Sequence, residues 1–126
     1  MITEDYVSFE TAKLLKEKGF DEEVLGYYHI WDRKINPPVW DAGTYARSEA
    51  PHLYIKAPTL QMAMKWLREV HKINIEIITY WTKDKSMVYG NRMVCDATLL
   101  KEIDVAYNSY EEACERAIKY CLENLI

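Results

Sequence analysis

From Leu60 to Lys72 apolar residues return every three or four positions, at Leu60, Ala63, Met64, Leu67 and Val70. Gln61, Lys65, Arg68, Glu69 and Lys72 fall on the opposite side, which is the 3.6-residue repeat of an amphipathic helix. Ala57-Pro58-Thr59 leads into it, with Thr59 placed to cap its first amides. The period then changes to two: Ile73, Ile75 and Ile77 alternate with Asn74 and Glu76, predicting a strand buried on one face that runs to Trp81. Thr82-Lys83-Asp84-Lys85-Ser86 is a turn, and Met87 to Cys95 is the returning strand. Ile103, Val105 and Tyr107 alternate within 99–107 and would supply a further strand. The helical repeat resumes at the end of the chain. Ser109-Tyr110-Glu111-Glu112 has the form of a capping box, and Ala113, Cys114, Ala117, Ile118, Cys121, Leu122 and Leu125 make one apolar stripe behind it.

The first half is read the same way. Ser8 caps a short helix whose inward stripe is Phe9, Ala12 and Leu15, with Leu14 adjoining. Gly19-Phe20 is its stop, a left-handed glycine with an apolar residue folding back after it. Val24 to Trp31 is aromatic and β-branched, and predicts a strand. Asn36-Pro37-Pro38, Gly43 and Pro51 make Asp32 to His52 a long loop, after which Leu53 to Lys56 pairs back as a hairpin. The expected fold is α+β, an antiparallel sheet of two hairpins and a possible fifth strand with three helices, in the order α-β-β-α-β-β-(β)-α. The 126 residues are expected to form a single domain, 1–126.

Composition narrows the class without naming a function. An apolar fraction of 49% and a charged fraction of 29% belong to a globular chain that buries its own core. No apolar run reaches the ~20 residues that span a bilayer, and the acidic start Met-Ile-Thr-Glu-Asp-Tyr lacks a signal peptide's basic and apolar regions. The expected location is the cytoplasm. Cys95, Cys114 and Cys121 contain no C-x-x-C pair, and the last two lie on one apolar helix face as small buried thiols. The net charge of −4 is unevenly spread: residues 1–23 and 93–126 each hold seven acids and three bases, whereas 60–92 hold three acids and six bases.

Candidate chemistry is sparse. His29, His52 and His71 occur without H-x-x-x-H or H-E-x-x-H spacing. His29 and His52 would approach each other if their strands pair, with Asp32 or Asp41 beside them, but strand-end exposure explains both. There is no G-x-S-x-G elbow, and Gly19, Gly26, Gly43 and Gly90 are too scattered to form a phosphate cradle. This pattern argues against an enzyme and implies no cofactor or metal. Binding is the better-supported activity. The aromatic positions Tyr27, Tyr28, Trp31 and Trp40 are of the residue types enriched where proteins meet, so a protein partner or a second copy is expected. The alternative is weak nucleic-acid contact through Lys65, Arg68, Lys72, Lys83 and Lys85, with Trp66, Tyr80 or Trp81 as stacking platforms. The order helix, three strands, helix over 60–126 echoes double-stranded-RNA-binding domains. Those present basic residues where this chain has Ser-Tyr-Glu-Glu-Ala-Cys-Glu, and its glutamates would repel phosphate.

Three stretches carry a resemblance: SFETAKLLKEKGF, APTLQMAMKWLREVHKINIEI and NSYEEACERAIKYCLENLI. In this order they resemble a group of small uncharacterised proteins carried by bacterial prophages and other mobile elements. The aromatic hairpin and the Pro-Pro loop depart from that group. The resemblance implies a bacterial or phage cytosolic setting, and no activity or site residue comes with it.

Overall fold

The computed structural model describes residues 2–36 and 53–126. The chain divides into two compact units, Met1–Gln61 and Met62–Ile126. The elements are α1 (Phe9–Glu17), β1 (Gly26–His29), β2 (Ile35–Asn36), β3 (Tyr54–Ala57), α2 (Leu60–Val70), β4 (Asn74–Trp81), β5 (Met87–Cys95), β6 (Thr98–Tyr107) and α3 (Tyr110–Tyr120), closed by a π-helical turn (Cys121–Leu125). The fold is α+β, with antiparallel pairing throughout and Thr98–Tyr107 as the strand that alternation foresaw. The strands form two three-stranded sheets, in the orders β2-β1-β3 and β4-β5-β6.

In the first unit Ser8 caps α1, its hydroxyl oxygen accepting from the Thr11 amide at 3.2 Å. Gly19 ends it at φ +93°, so that the Phe20 amide reaches back to the Leu15 carbonyl at 2.9 Å and the Phe20 ring is buried. Strand β1 pairs with β3 from Gly26↔Ala57 to His29↔Tyr54, the expected hairpin shortened to four residues. A second pairing departs from the long loop read over 32–52. Residues 30–34 turn back, the Asp32 carboxylate accepts from the Lys34 amide at 2.9 Å, and β2 joins the other edge of β1. Helix α1 packs on β3, with Phe9 edge-on to Tyr28 at 5.6 Å. Residues 5–7 run beside 58–60 through Val7 N–H to Pro58 O (3.0 Å) and Leu60 N–H to Asp5 O (2.9 Å).

Helix α2 buries Leu60, Ala63, Met64 and Leu67 as its repeat predicts, but Val70 is 53% exposed and Trp66 is buried in its stead. Trp66 stacks edge-on against His71 at 4.8 Å. The helix stops where Lys72 takes a left-handed φ of +61° and the Ile73 amide returns to the Leu67 carbonyl at 3.1 Å.

In the second unit β4 and β5 pair in register from Asn74↔Val94 to Trp81↔Met87. Helix α3 lies across the sheet chiefly on β5. Its buried stripe, Ala113, Cys114, Ala117 and Ile118, meets the face carrying Met93 and Asn91. Ser109 accepts from the Glu112 amide at 3.1 Å, as the capping box requires. The stripe does not continue as a regular α-helix. The π-helical turn takes over at Cys121 and presents two consecutive residues, Cys121 and Leu122, to the core.

Strands β5 and β6 are joined by Asp96 and Ala97, both left-handed at φ +49° and +61°. A two-residue hairpin turn needs this conformation, and glycine fits its second position far better than alanine. Ala97→Gly is therefore expected to raise stability by about 1 kcal/mol, because the left-handed strain of alanine exceeds the extra unfolded-state entropy of glycine. A shift of the urea midpoint to higher concentration at unchanged slope checks it.

Candidate functional site

The second sheet has one face under α3 and an opposite face that offers side chains to the outside. Cross-strand register places Glu76↔Arg92, Ile78↔Gly90 and Tyr80↔Val88 together on that outer face. Arg92 donates from Nε to the Glu76 carboxylate. That hydrogen bond is the main reason its pKa is raised, with the Glu76 charge next and Glu102 adding a smaller part.

The outer face opens at one place. Asn91 pairs with Ile103 and Tyr89 pairs with Tyr107, so residues 104–106 stand against Gly90 alone and the ladder bulges. A shallow pocket of about 270 Å³ lies there, lined among others by Tyr80, Val88, Gly90, Asn91, Glu102 and Val105. The Tyr80 ring sits so close over Gly90 that a Cβ added there would come within 2.9 Å of its Cε2. This is the close approach that a glycine inside a strand permits. Asn91 lies beneath on the α3 side, its Nδ2 donating to the Ala113 carbonyl at 3.0 Å, while its buried Oδ1 has no hydrogen-bond partner among the described residues. At the end of the same sheet Trp81 and Met87 are directly opposed, 70% and 42% exposed.

The aromatic positions singled out from sequence do not form one surface. Tyr27 is 3% exposed and belongs to the core. Tyr28 is half-buried and donates its hydroxyl to the Val7 carbonyl at 2.6 Å. Trp31 is 78% exposed, and Trp40 lies outside the described residues. The basic positions are also dispersed. Lys65 pairs with Glu69 one turn on at 4.0 Å, and Lys72 donates from Nζ to the Glu69 carbonyl at 2.9 Å, closing its own helix. Arg68 is exposed on α2. Lys83 and Lys85 sit on the turn beyond the far end of β4, whose eight residues separate them from Lys72 by ~26 Å. That turn is organised by Asp84, which holds the Thr82 hydroxyl and the Ser86 amide; the Thr82 bond is the main reason its pKa is lowered.

His29 accepts from the Trp31 amide at 3.2 Å and stands edge-on to Tyr54 and Trp31, while His52 and Asp41 lie outside the described residues. Among the described residues no three His, Cys, Asp or Glu side chains gather as a metal site would require. Cys114 and Cys121 are fully buried, and burial pushes their thiols up to about 11 and about 12. In the folded protein at about pH 8 a thiol reagent is expected to label Cys95 alone, and all three cysteines in denaturant. Because the folded values lie above the unfolded one of about 9, the thiols' stabilising contribution is complete below pH 9 and is lost as pH rises beyond it. Denaturation midpoints across that range should fall less steeply in Cys121→Ala than in the wild type.

Comparison with protein-family models, curated proteins and solved structures yields no match.

Proposed function

We propose that the chain is a non-enzymatic interaction module that contacts a protein, a second copy of itself included, through the outer face and end of its second sheet. The observation that carries this reading is the exposed cross-strand pair Trp81 and Met87 at the end of the sheet, with Tyr80 exposed on the opposite face of the same strand end. Tyr, Trp and Met are enriched at the centres of protein interfaces, where their large apolar bodies gain most from leaving water. Exposed Trp31 is a further contact position in the first unit. Nucleic-acid contact by Lys65, Arg68, Lys72, Lys83 and Lys85 has less support. Two of these lysines are engaged by Glu69, and the length of β4 divides the set, whereas a phosphate backbone asks for a continuous basic track. A bacterial or phage cytoplasm belongs to the same proposal; among the described residues no helix is long and apolar enough to cross a membrane.

Light scattering across protein concentration tests the self-association part. The wild type should exceed the 14.9 kDa of one chain as concentration rises, and a Trp81→Ser, Met87→Ser double variant should return to it. A wild type that stays at the single-chain mass at high micromolar concentration ends self-association. A double variant that self-associates like the wild type ends the role given to the sheet.

A further inference from the structure

We infer that the pocket at the β5–β6 bulge receives a guanidinium group, carried by an arginine side chain of the partner or by a small free guanidino compound. The inference deepens the interaction reading above and rests on it. Two features of the pocket converge on an organic cation. The first is the Tyr80 ring, which packs down over Gly90 and keeps its outward side exposed. A planar guanidinium stacks on such a ring, gaining from both the quadrupole and the flat contact. The second is Glu102, which lines the same pocket. Arg92 stands across from Glu102 in register, but gives its Nε to Glu76 on the other side. Among the described residues Glu102 has no ion pair within 4 Å, so its oxygens remain for an incoming donor.

Size and charge agree. A volume of about 270 Å³ suits one side-chain head group better than an extended ligand. Among the described residues lining the pocket none is cationic, Arg92 beside it is held by Glu76, and residues 93–126 carry seven acids against three bases. The guanidinium has five donors and no acceptor, which matches a lining that offers a carboxylate.

The test is a titration of the full chain, followed by amide NMR, with N-acetyl-arginine amide, its neutral citrulline counterpart, and a five-residue peptide with one central arginine. The arginine probes should give saturable shifts confined to residues near Gly90 and 102–106, weakening with salt. Glu102→Gln should loosen binding roughly five- to tenfold, as expected for losing a charge-assisted hydrogen bond at a partly solvated site. Tyr80→Leu should loosen it by about threefold, as expected for a lost cation–π contact. Both positions are exposed, so the same spectra report that the variants are folded. Tighter binding of the peptide than of the single residue assigns the pocket to a partner's side chain, and equal binding assigns it to a free compound. Equal shifts with the citrulline probe, no saturation by ~50 mM, which is weaker than any specific contact, or an unchanged affinity in Glu102→Gln overturns the inference. Such a failure alongside self-association that depends on Trp81 and Met87 would leave the interaction reading intact.

Discussion

Asn91→Asp is expected to lower stability by on the order of 3–5 kcal/mol at neutral pH, the cost of a buried charge with no opposite partner. Asn91 is 1% exposed and donates to the Ala113 carbonyl. An aspartate there would aim an acceptor at an acceptor in the same buried space. Its carboxyl would stay neutral in the folded protein well above the ordinary value near 4, whereas the unfolded chain ionises at that value. The unfolded state then holds fewer protons than the folded one above pH 4, so stability falls as pH rises from there. The deficit against wild type should therefore shrink as pH is lowered towards about 4. Urea denaturation at several pH values reads this; a deficit independent of pH would show that the damage is steric. Asn91→Ala is the control, and it should cost less. It loses one hydrogen bond but also removes the Oδ1 that has no partner.

Ile118→Ala should cost roughly 2–5 kcal/mol, and Ile118→Val about 1 kcal/mol. Ile118 is fully buried on α3 between small neighbours, Ala117 beside it and Cys114 and Cys121 one turn away. Those small residues let the helix lie close to β5, and Ile118 and Leu122 are the large side chains that fill the remaining space. Truncating Ile118 leaves a void that its Ala and Cys neighbours are too short to close. A loss of this size is a large part of the ~5–15 kcal/mol that holds a domain of ordinary size. Thermal and urea unfolding should both move, and a change below about 1 kcal/mol would mean that the helix settles into the gap.

The elements that sequence foretold are those with local chemistry at their ends. Ser8, Gly19 and Ser109 each announce a helix boundary through a hydrogen bond or a backbone conformation that needs that residue. Alternation along Ile73, Ile75 and Ile77 placed β4, and along Ile103, Val105 and Tyr107 it suggested β6 as a possible further strand. Strand β2 could not be read, because two residues before Pro37 show no period. The β5–β6 turn was silent because Ala97 is not a residue that usually takes a positive φ. Aromatic composition marked Tyr27 and Tyr28 as contact candidates but could not tell which face of a strand is covered, and burial removes Tyr27. The pocket had one readable sign, Gly90 alone inside a strand, which is a cue for a bulge or a close approach. The other half of it, three residues of β6 facing one of β5, depends on register between strands and has no local signature.

The two sheets close over very different spans of chain. Strands β4, β5 and β6 follow one another through the turns 82–86 and 96–97, whereas β1 and β3 are separated in the chain by residues 30–53. Joining distant segments carries a loop entropy that adjacent hairpins avoid, and chains dominated by local pairing fold faster. The meander of the second unit is thus the natural early structure on the folding pathway, and the β1–β3 ladder a late one.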